Sequence, residues 1–257
     1  MNQPSRLAVS TWSLHRTLTV HHVPLLHLPA QAAAHGFGAL ELVHFHLPST
    51  DPGYLADLRA ALDDAHIALH ALLIDTGDPT HLDPAQRARD LETMAHWVDI
   101  AGALGAATAR AVAGHARATP DTLSLSAQGL RPLAAQAEAL GLRLTTENWY
   151  ALLDHSDDVL SLLDRLDGHL GLKVDFGNWP YDPALIALSR IAPRAESTHA
   201  KAFFGPDKAM DSDYFTRCLD LFRASGFAGT HTLIYDSAAD EWPSLDSMRA
   251  ITLPYLA

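Results

Sequence analysis

Residues 141–180 read GLRLTTENWYALLDHSDDVLSLLDRLDGHLGLKVDFGNWP. Two short apolar runs here each end in a carboxylate, as Thr146-Glu147-Asn148-Trp149 and as Val174-Asp175-Phe176-Gly177-Asn178-Trp179. Between them, after Ser156, apolar residues fall at helical spacing. The stretch reads as strand, helix, strand, with an acid closing each strand. In parallel α/β proteins the chemistry gathers at the carboxyl ends of the strands. Glu147 and Asp175 are therefore candidate ligands of one divalent metal.

The same unit recurs in both directions. Strand-like runs at 7–11, 39–43, 67–73, 107–113, 195–201 and 230–235 bring the count to eight. Helix-patterned segments follow them; the clearest carries Leu91, Met94, Ala95, Val98, Ala101 and Leu104 on one face. Asp-Pro pairs at 51, 83 and 182 have the form of a helix cap followed by proline in the first turn. Gly36, Gly141 and Gly226 stand where helices stop before strands two, five and eight. Eight strand–helix units in 257 residues, with no composition break, predict one domain over 1–257. The fold class is α/β, a (β/α)8 TIM barrel, whose usual length is about 250 residues. An open doubly wound sheet is the alternative. It uses fewer units and often carries a glycine-rich phosphate turn, and neither GxGxxG nor GxxxxGK[ST] occurs here.

Composition excludes several classes. Hydrophobic content is 48 % and charged content 19 %, which is a globular balance and not a disordered one. No apolar run reaches the roughly 18 residues of a membrane span, and the N-terminal apolar run is too short for a signal peptide. Single Cys218 rules out an internal disulfide and a thiolate metal cluster. A reducing, cytoplasmic setting is the default expectation. Net charge is −12, with 18 Lys+Arg against 30 Asp+Glu and no long basic run, so nucleic acid is not expected as a partner. The expected partner is a small molecule; a homo-oligomeric assembly is left open.

Side chains alternate along a strand. That phase puts Arg143, Thr145 and Glu147 on one face of strand five, and Lys173 and Asp175 on one face of strand six. His199 and Lys201 share a face of strand seven, and Thr232, Ile234 and Asp236 share a face of strand eight. The opposite faces are mostly Leu, Val and Ala, so the charged set points into the barrel. Two arrangements accommodate it. Arg143 or Lys173 neutralises Glu147 and Asp175 in a buried ion-pair network. Otherwise two carboxylates and the His199 imidazole hold a Mn, Mg, Co or Zn ion. Asn148 and Asn178 follow the acids and suit ligand orientation or hydroxyl binding. Trp12, Trp149 and Trp179 follow strand ends and suit an apolar pocket wall. His115 and His70 are weaker pocket candidates, and the pair His44 and His46 is a weak metal signal. Lys201 either polarises a substrate oxygen or forms a salt bridge with Glu147 or a loop acid.

Taken together, Thr146-Glu147-Asn148, Lys173-Val174-Asp175-Phe176-Gly177-Asn178, Thr198-His199-Ala200-Lys201 and Gly226-Phe227-Ala228-Gly229 resemble the xylose isomerase-like barrel family of sugar isomerases and epimerases. Gly36-Phe37-Gly38-Ala39-Leu40-Glu41 fits that family's second-strand pattern. The resemblance implies an eightfold barrel with one divalent metal. It implies Glu147, Asp175 and His199 as ligands, Glu147 as a catalytic base, and Lys201 as a second catalytic group. Glu41, Asn148, Asn178, Trp12 and His115 are the substrate-binding candidates. In the family, a strand-eight Glu is the fourth ligand and second base. Ile234 stands in that place here, with Asp236 two residues on as its candidate replacement.

Three functions follow as expectations. The first is metal-dependent isomerisation or epimerisation of a sugar or keto-polyol through an enediolate. The second is a lyase-type dehydratase, or a barrel that binds without catalysis, because Ile234 removes one base. The third is a phosphodiester hydrolase of the repair-endonuclease branch. That branch uses a trinuclear site with extra His and acidic ligands, and Asn178 stands where one such His would be.

Overall fold

The computed structural model describes residues 6–179, 184–238 and 240–256. Eight strands alternate with helices: β1 Leu7–Ser10, β2 Ala39–Val43, β3 Ala68–Ile74, β4 Thr108–Ala111, β5 Arg143–Glu147, β6 Gly171–Asp175, β7 Ala195–Lys201 and β8 Thr230–Ile234. All pair in parallel with their sequence neighbours, and β8 pairs with β1, so the sheet closes into a barrel in the order β1 to β8. The helices are α1 His15–Thr19, α2 Leu28–Ala34, α3 Pro52–Asp64, α4 Pro84–Leu104, α5 Pro120–Ala139, α6 Ser156–Arg165, α7 Ala184–Ile191, α8 Ser212–Ala224 and α9 Glu241–Thr252. None among the described residues is long and apolar enough to cross a membrane.

The alternation expected of each strand sets this arrangement. Leu172 and Val174 of β6 are fully buried under the helices, as are Leu144 of β5 and Leu233 of β8. Each buried side chain of this size contributes about 1.5–3 kcal/mol relative to exposure. The other face of the same strands carries Lys173, Asp175, Thr145 and Glu147 into the barrel.

Local signals act much as their residue types dictate. Gly36, Gly141 and Gly226 all adopt positive φ directly after a helix, a conformation that costs a side-chain-bearing residue. The Asp83 carboxylate caps α4 by accepting from the Ala85 backbone N–H. Asp51 occupies the equivalent position before α3 but makes no side-chain cap; its carboxylate accepts from the Ser49 hydroxyl instead. The expected start at Asp182-Pro183 lies outside the described residues. A short 3-10 turn, Leu25–His27, leads into α2, which begins at Leu28. Helix α6 begins at Ser156 itself, with His155 in the cap position.

The barrel floor is closed by charge. Arg143, at the first position of β5, reaches Glu196 on β7 with Nη2–Oε1 at 2.7 Å. β7 has an extra residue here, because Leu172 pairs with Ala195 and Lys173 with Ser197. Gly171 leaves room for the Glu196 carboxylate, which would lie 2.4 Å from a Cβ at that position. Arg143 is thus on the predicted face but at the opposite end of the strand from Glu147.

A Cβ at Gly229 would lie 2.1 Å from the Glu196 carbonyl oxygen, a backbone atom with no freedom to move aside. Gly229→Ala should lower stability by about 1–3 kcal/mol, the usual cost of overpacking. Gly53, in the first turn of α3, has open space around it, and Gly53→Ala should leave stability unchanged or raise it by a fraction of about 1 kcal/mol. Urea denaturation of the two variants checks the contrast; equal midpoints would contradict it.

Candidate metal centre and active site

Three neighbouring strand ends deliver the site. Glu147 is the last residue of β5, Asp175 the last of β6, and His199 pairs directly with Asp175 in the sheet. The His199 Nδ1 lies 3.3 Å from Glu147 Oε2 and 3.6 Å from Asp175 Oδ2. One ligand atom from each residue lies within 4.8 Å of the others, and all three residues are buried. Two atoms each about 2.0–2.3 Å from one ion stand about 3–4 Å apart at tetrahedral or octahedral angles, so the spacing fits a divalent cation. Glu147 Oε2 is buried and accepts no well-aligned hydrogen bond, only the ion-pair contact of Arg110 Nε at 3.1 Å, which leaves a lone pair for such an ion.

Neighbouring groups hold each ligand in place. Fully buried Asn148 accepts from the Asp175 backbone N–H at 2.8 Å and donates to its carbonyl at 3.1 Å. It therefore pins the end of β6 to β5 and does not face the cavity. Asp175 Oδ1 accepts from the Gly177 N–H at 2.6 Å. Asn178 Nδ2 donates to Glu147 Oε1 at 2.7 Å. Beneath the ligands, Glu41 Oε1 lies 2.8 Å from His199 Nε2, and its Oε2 accepts from Lys173 Nζ. Glu41 has no solvent exposure, so it supports the site from below and is not placed to touch a substrate.

The ion-pair arrangement considered from sequence exists, with different partners. Lys173 pairs with Glu41, and Arg143 with Glu196. The cation beside Glu147 is Arg110 of β4, with Nε 3.1 Å from Glu147 Oε2 and Nη1 2.6 Å from Asp75 Oδ1. The guanidinium also lies 5.2 Å from the Trp149 ring centre. Sequence reading passed over both Arg110 and Asp75. The available signal was a lone charged residue among small apolar ones in Thr108-Ala109-Arg110-Ala111, and an acid directly after strand three.

These charges set the protonation states. Burial alone would lower the His199 pKa, but the Glu41 and Glu147 carboxylates outweigh it and push it up to about 10. Burial would raise Glu147, and the positive charges of His199 and Arg110 instead hold it at about 2. Glu41 is likewise buried, yet His199 and Lys173 keep its carboxyl well below the usual range. With His199 protonated, the four carboxylates of Glu41, Asp75, Glu147 and Asp175 face three cations, His199, Arg110 and Lys173. A divalent ion in place of the His199 proton brings the two signs into balance.

Above the triad lies a cavity of about 160 Å³. Its polar wall is Asp75, Arg110, Asn178 and Lys201, and its apolar wall is Trp12, Leu73, Trp149 and Ile234. Trp179 is instead buried, with its indole N–H donated to the Leu153 carbonyl. His115 sits outside the cavity, against the Tyr150 ring at 4.2 Å between centres. His70 is inside the barrel near Lys173, and burial lowers its pKa to about 3, so it is neutral. His46 bonds to His15 at 2.9 Å, and His44 Nδ1 accepts from the Asp75 N–H at 3.2 Å; neither joins the triad. Asp236 does not join it either. Its side chain is 52 % exposed and pairs with Lys201 at 3.1 Å. Ile234 fills the strand-eight wall, and the carboxylate two residues on lies beyond the rim.

The pKa shifts fix the pH response of the metal-free chain. A raised His199 pKa gives stability that is fully present below its unfolded value of 6.5 and is lost as pH rises towards about 10. A depressed Glu147 pKa gives stability that is present above 4.5 and is lost as pH falls towards about 2. Metal-stripped protein should therefore lose denaturation midpoint steadily from pH 7 to 10, and His199→Gln should flatten that slope. An unchanged slope in the variant would contradict the assignment.

Comparison with known proteins agrees with this architecture. A family model described as the xylose isomerase-like TIM barrel matches residues 29–244. No curated protein matches the sequence. Solved structures with the same fold include an L-ribulose 3-epimerase, 20 % identical over 98 % of this chain and 94 % of that one, with a TM-score of 0.75. A D-psicose 3-epimerase with D-tagatose from Clostridium cellulolyticum H10 is 12 % identical over 98 % and 99 %, with a TM-score of 0.76. A xylose isomerase-like TIM barrel protein from Mycobacterium smegmatis in complex with magnesium is 15 % identical over the whole of both chains, with a TM-score of 0.73. The family model covers most of the chain, which therefore belongs to the xylose isomerase-like TIM barrel family.

Proposed function

We propose that this protein is a metal-dependent isomerase or epimerase-like enzyme acting on a small sugar or keto-polyol through an enediolate. The observation that carries the reading is the convergence of Glu147, Asp175 and His199 at the floor of one small cavity with a polar and an apolar wall. The fold neighbours include enzymes that are sugar 3-epimerases, which agrees with this substrate class. The cavity, at about 160 Å³, is smaller than the roughly 300–1,000 Å³ of drug-sized sites and suits a compact polyol.

Glu147, Asp175 and His199 would hold one Mn, Mg, Co or Zn ion. When bound, it supplies Lewis-acid stabilisation of negative charge on the substrate's vicinal oxygens. Glu147 removes the proton from the carbon next to the carbonyl. Its low pKa keeps it ionised and also makes it a weak base, so the carbon acid must be strongly activated. Arg110 and Lys201 provide fixed positive charge around the reacting oxygens for that purpose. Asn178 holds the Glu147 carboxylate by its other oxygen. Trp12 and Trp149 cover an apolar sugar face and exclude water.

Ile234 decides between reaction types. With an aliphatic wall at β8, a second carboxylate base is missing from that strand. One-base chemistry is favoured, as in aldose–ketose isomerisation or dehydration of a keto-polyol, over two-base epimerisation. A lyase-type reaction is accordingly the second reading. A repair-endonuclease reaction is disfavoured, since Glu147, Asp175 and His199 form the one metal-suited group of three among the described residues.

The test is a panel of ketopentoses and ketohexoses with Mn²⁺ or Co²⁺ in D₂O, scoring deuterium entry next to the carbonyl. Wild type should exchange and convert at least one of them, and Glu147→Gln should lower kcat by about 10²–10⁴-fold. Full activity in the variant would remove Glu147 as base. Absence of both exchange and turnover across the panel would overturn the reading.

A further inference from the structure

We infer that Glu41, held in place by Lys173, is the positioning residue of the metal centre: it fixes the His199 ring so that Nδ1 is the atom presented to the ion. The inference rests on the metal-centre reading above and deepens it. The sequence resemblance implies a ligand for His199 but says nothing about which ring nitrogen binds or what orients it.

The geometry leaves one arrangement. His199 Nε2 lies 2.8 Å from Glu41 Oε1, while Nδ1 lies 3.3 Å and 3.6 Å from the carboxylates of Glu147 and Asp175. Glu41 takes the Lys173 donor on Oε2 and presents Oε1 as an acceptor, so the ring hydrogen sits on Nε2. The neutral ring then carries its lone pair on Nδ1, facing the two acidic ligands. Turning the ring over would place carbon atoms against Glu41 and Glu147 and lose both polar contacts.

Glu41 is held for this by a second contact. Lys173, equally buried, donates to its other oxygen and fixes the carboxylate against the ring. Two residues that never reach the cavity thus determine the ligand atom. They come from β2 and β6, on other strands than His199, so closure of the barrel is what brings them together. A carboxylate behind a metal-bound histidine commonly changes metal affinity by about 10–100-fold.

Calorimetric titration of metal-stripped protein with Co²⁺ or Mn²⁺ tests the inference without any substrate. Wild type should bind one ion. Glu41→Leu combined with Lys173→Met, which removes the acceptor and leaves no unpaired buried charge, should bind about 10–100-fold more weakly with an unchanged far-UV circular dichroism spectrum. Equal affinity would overturn the role of Glu41 and leave the metal centre intact. Failure of wild type to bind would overturn the metal centre, and this inference with it. A measurement on wild type alone covers a variant that does not fold. In the Co²⁺ protein, the paramagnetically shifted ring N–H of His199 should be slowly exchanging and assigned to Nε2. A ring proton on Nδ1 would overturn the inference.

Discussion

Much of this structure depends on a charge problem inside a closed barrel. Four carboxylates, those of Glu41, Asp75, Glu147 and Asp175, lie at or under the mouth with Arg110, Lys173 and His199. Buried charges are tolerable only when paired, and no single pair here is isolated. Arg110 spans Asp75 and Glu147; Glu41 spans Lys173 and His199; His199 reaches on to Glu147 and Asp175. The chain of contacts runs from β2 and β3 across the mouth to β7. Any change at one member is therefore felt at the three candidate ligand atoms, which face a common point.

The barrel itself was largely legible in the sequence because period-2 strands, helical periodicity and Gly or Asp-Pro punctuation all agreed. Strands β2, β5, β6 and β7 fall where the apolar runs place them. Glu147, Asp175 and His199 were legible for the same reason: strand phase fixes the face, and a strand end fixes the height. Pairing across the barrel was not legible. Arg143 has the phase of Glu147 but sits at the floor with Glu196, because a strand of five residues separates its ends by more than an arginine side chain spans. Lys173 meets Glu41, from a strand that is distant in sequence, and no local pattern announces that contact. Glu41, from the family's second-strand pattern, and Asn148, beside the strand-five acid, were among the expected substrate-binding residues. In the fold they lie behind the ligands and hold them.

Ile234 gives the site its particular character. The resemblance leads one to expect a carboxylate on β8, and the cavity instead has an aliphatic wall there. Asp236 does not compensate, because the strand has ended and its side chain has turned to Lys201 at the rim. The mouth is therefore asymmetric. Acidic ligands and cations line the β3 to β7 side, and Ile234 and Trp12 line the β8 to β1 side. Under the proposed function a substrate would meet its base from one face only, so one-sided proton transfer suits that reading better than transfer across the sugar.

A metal centre of Glu147, Asp175 and His199 is open to diffraction from crystals soaked in Mn²⁺, collected at the manganese absorption edge. One anomalous peak is expected at about 2.0–2.3 Å from a carboxylate oxygen of Glu147, an oxygen of Asp175 and Nδ1 of His199. No peak there, with Arg110 still closed on Glu147, would contradict it and leave the mouth as a buried ion-pair network.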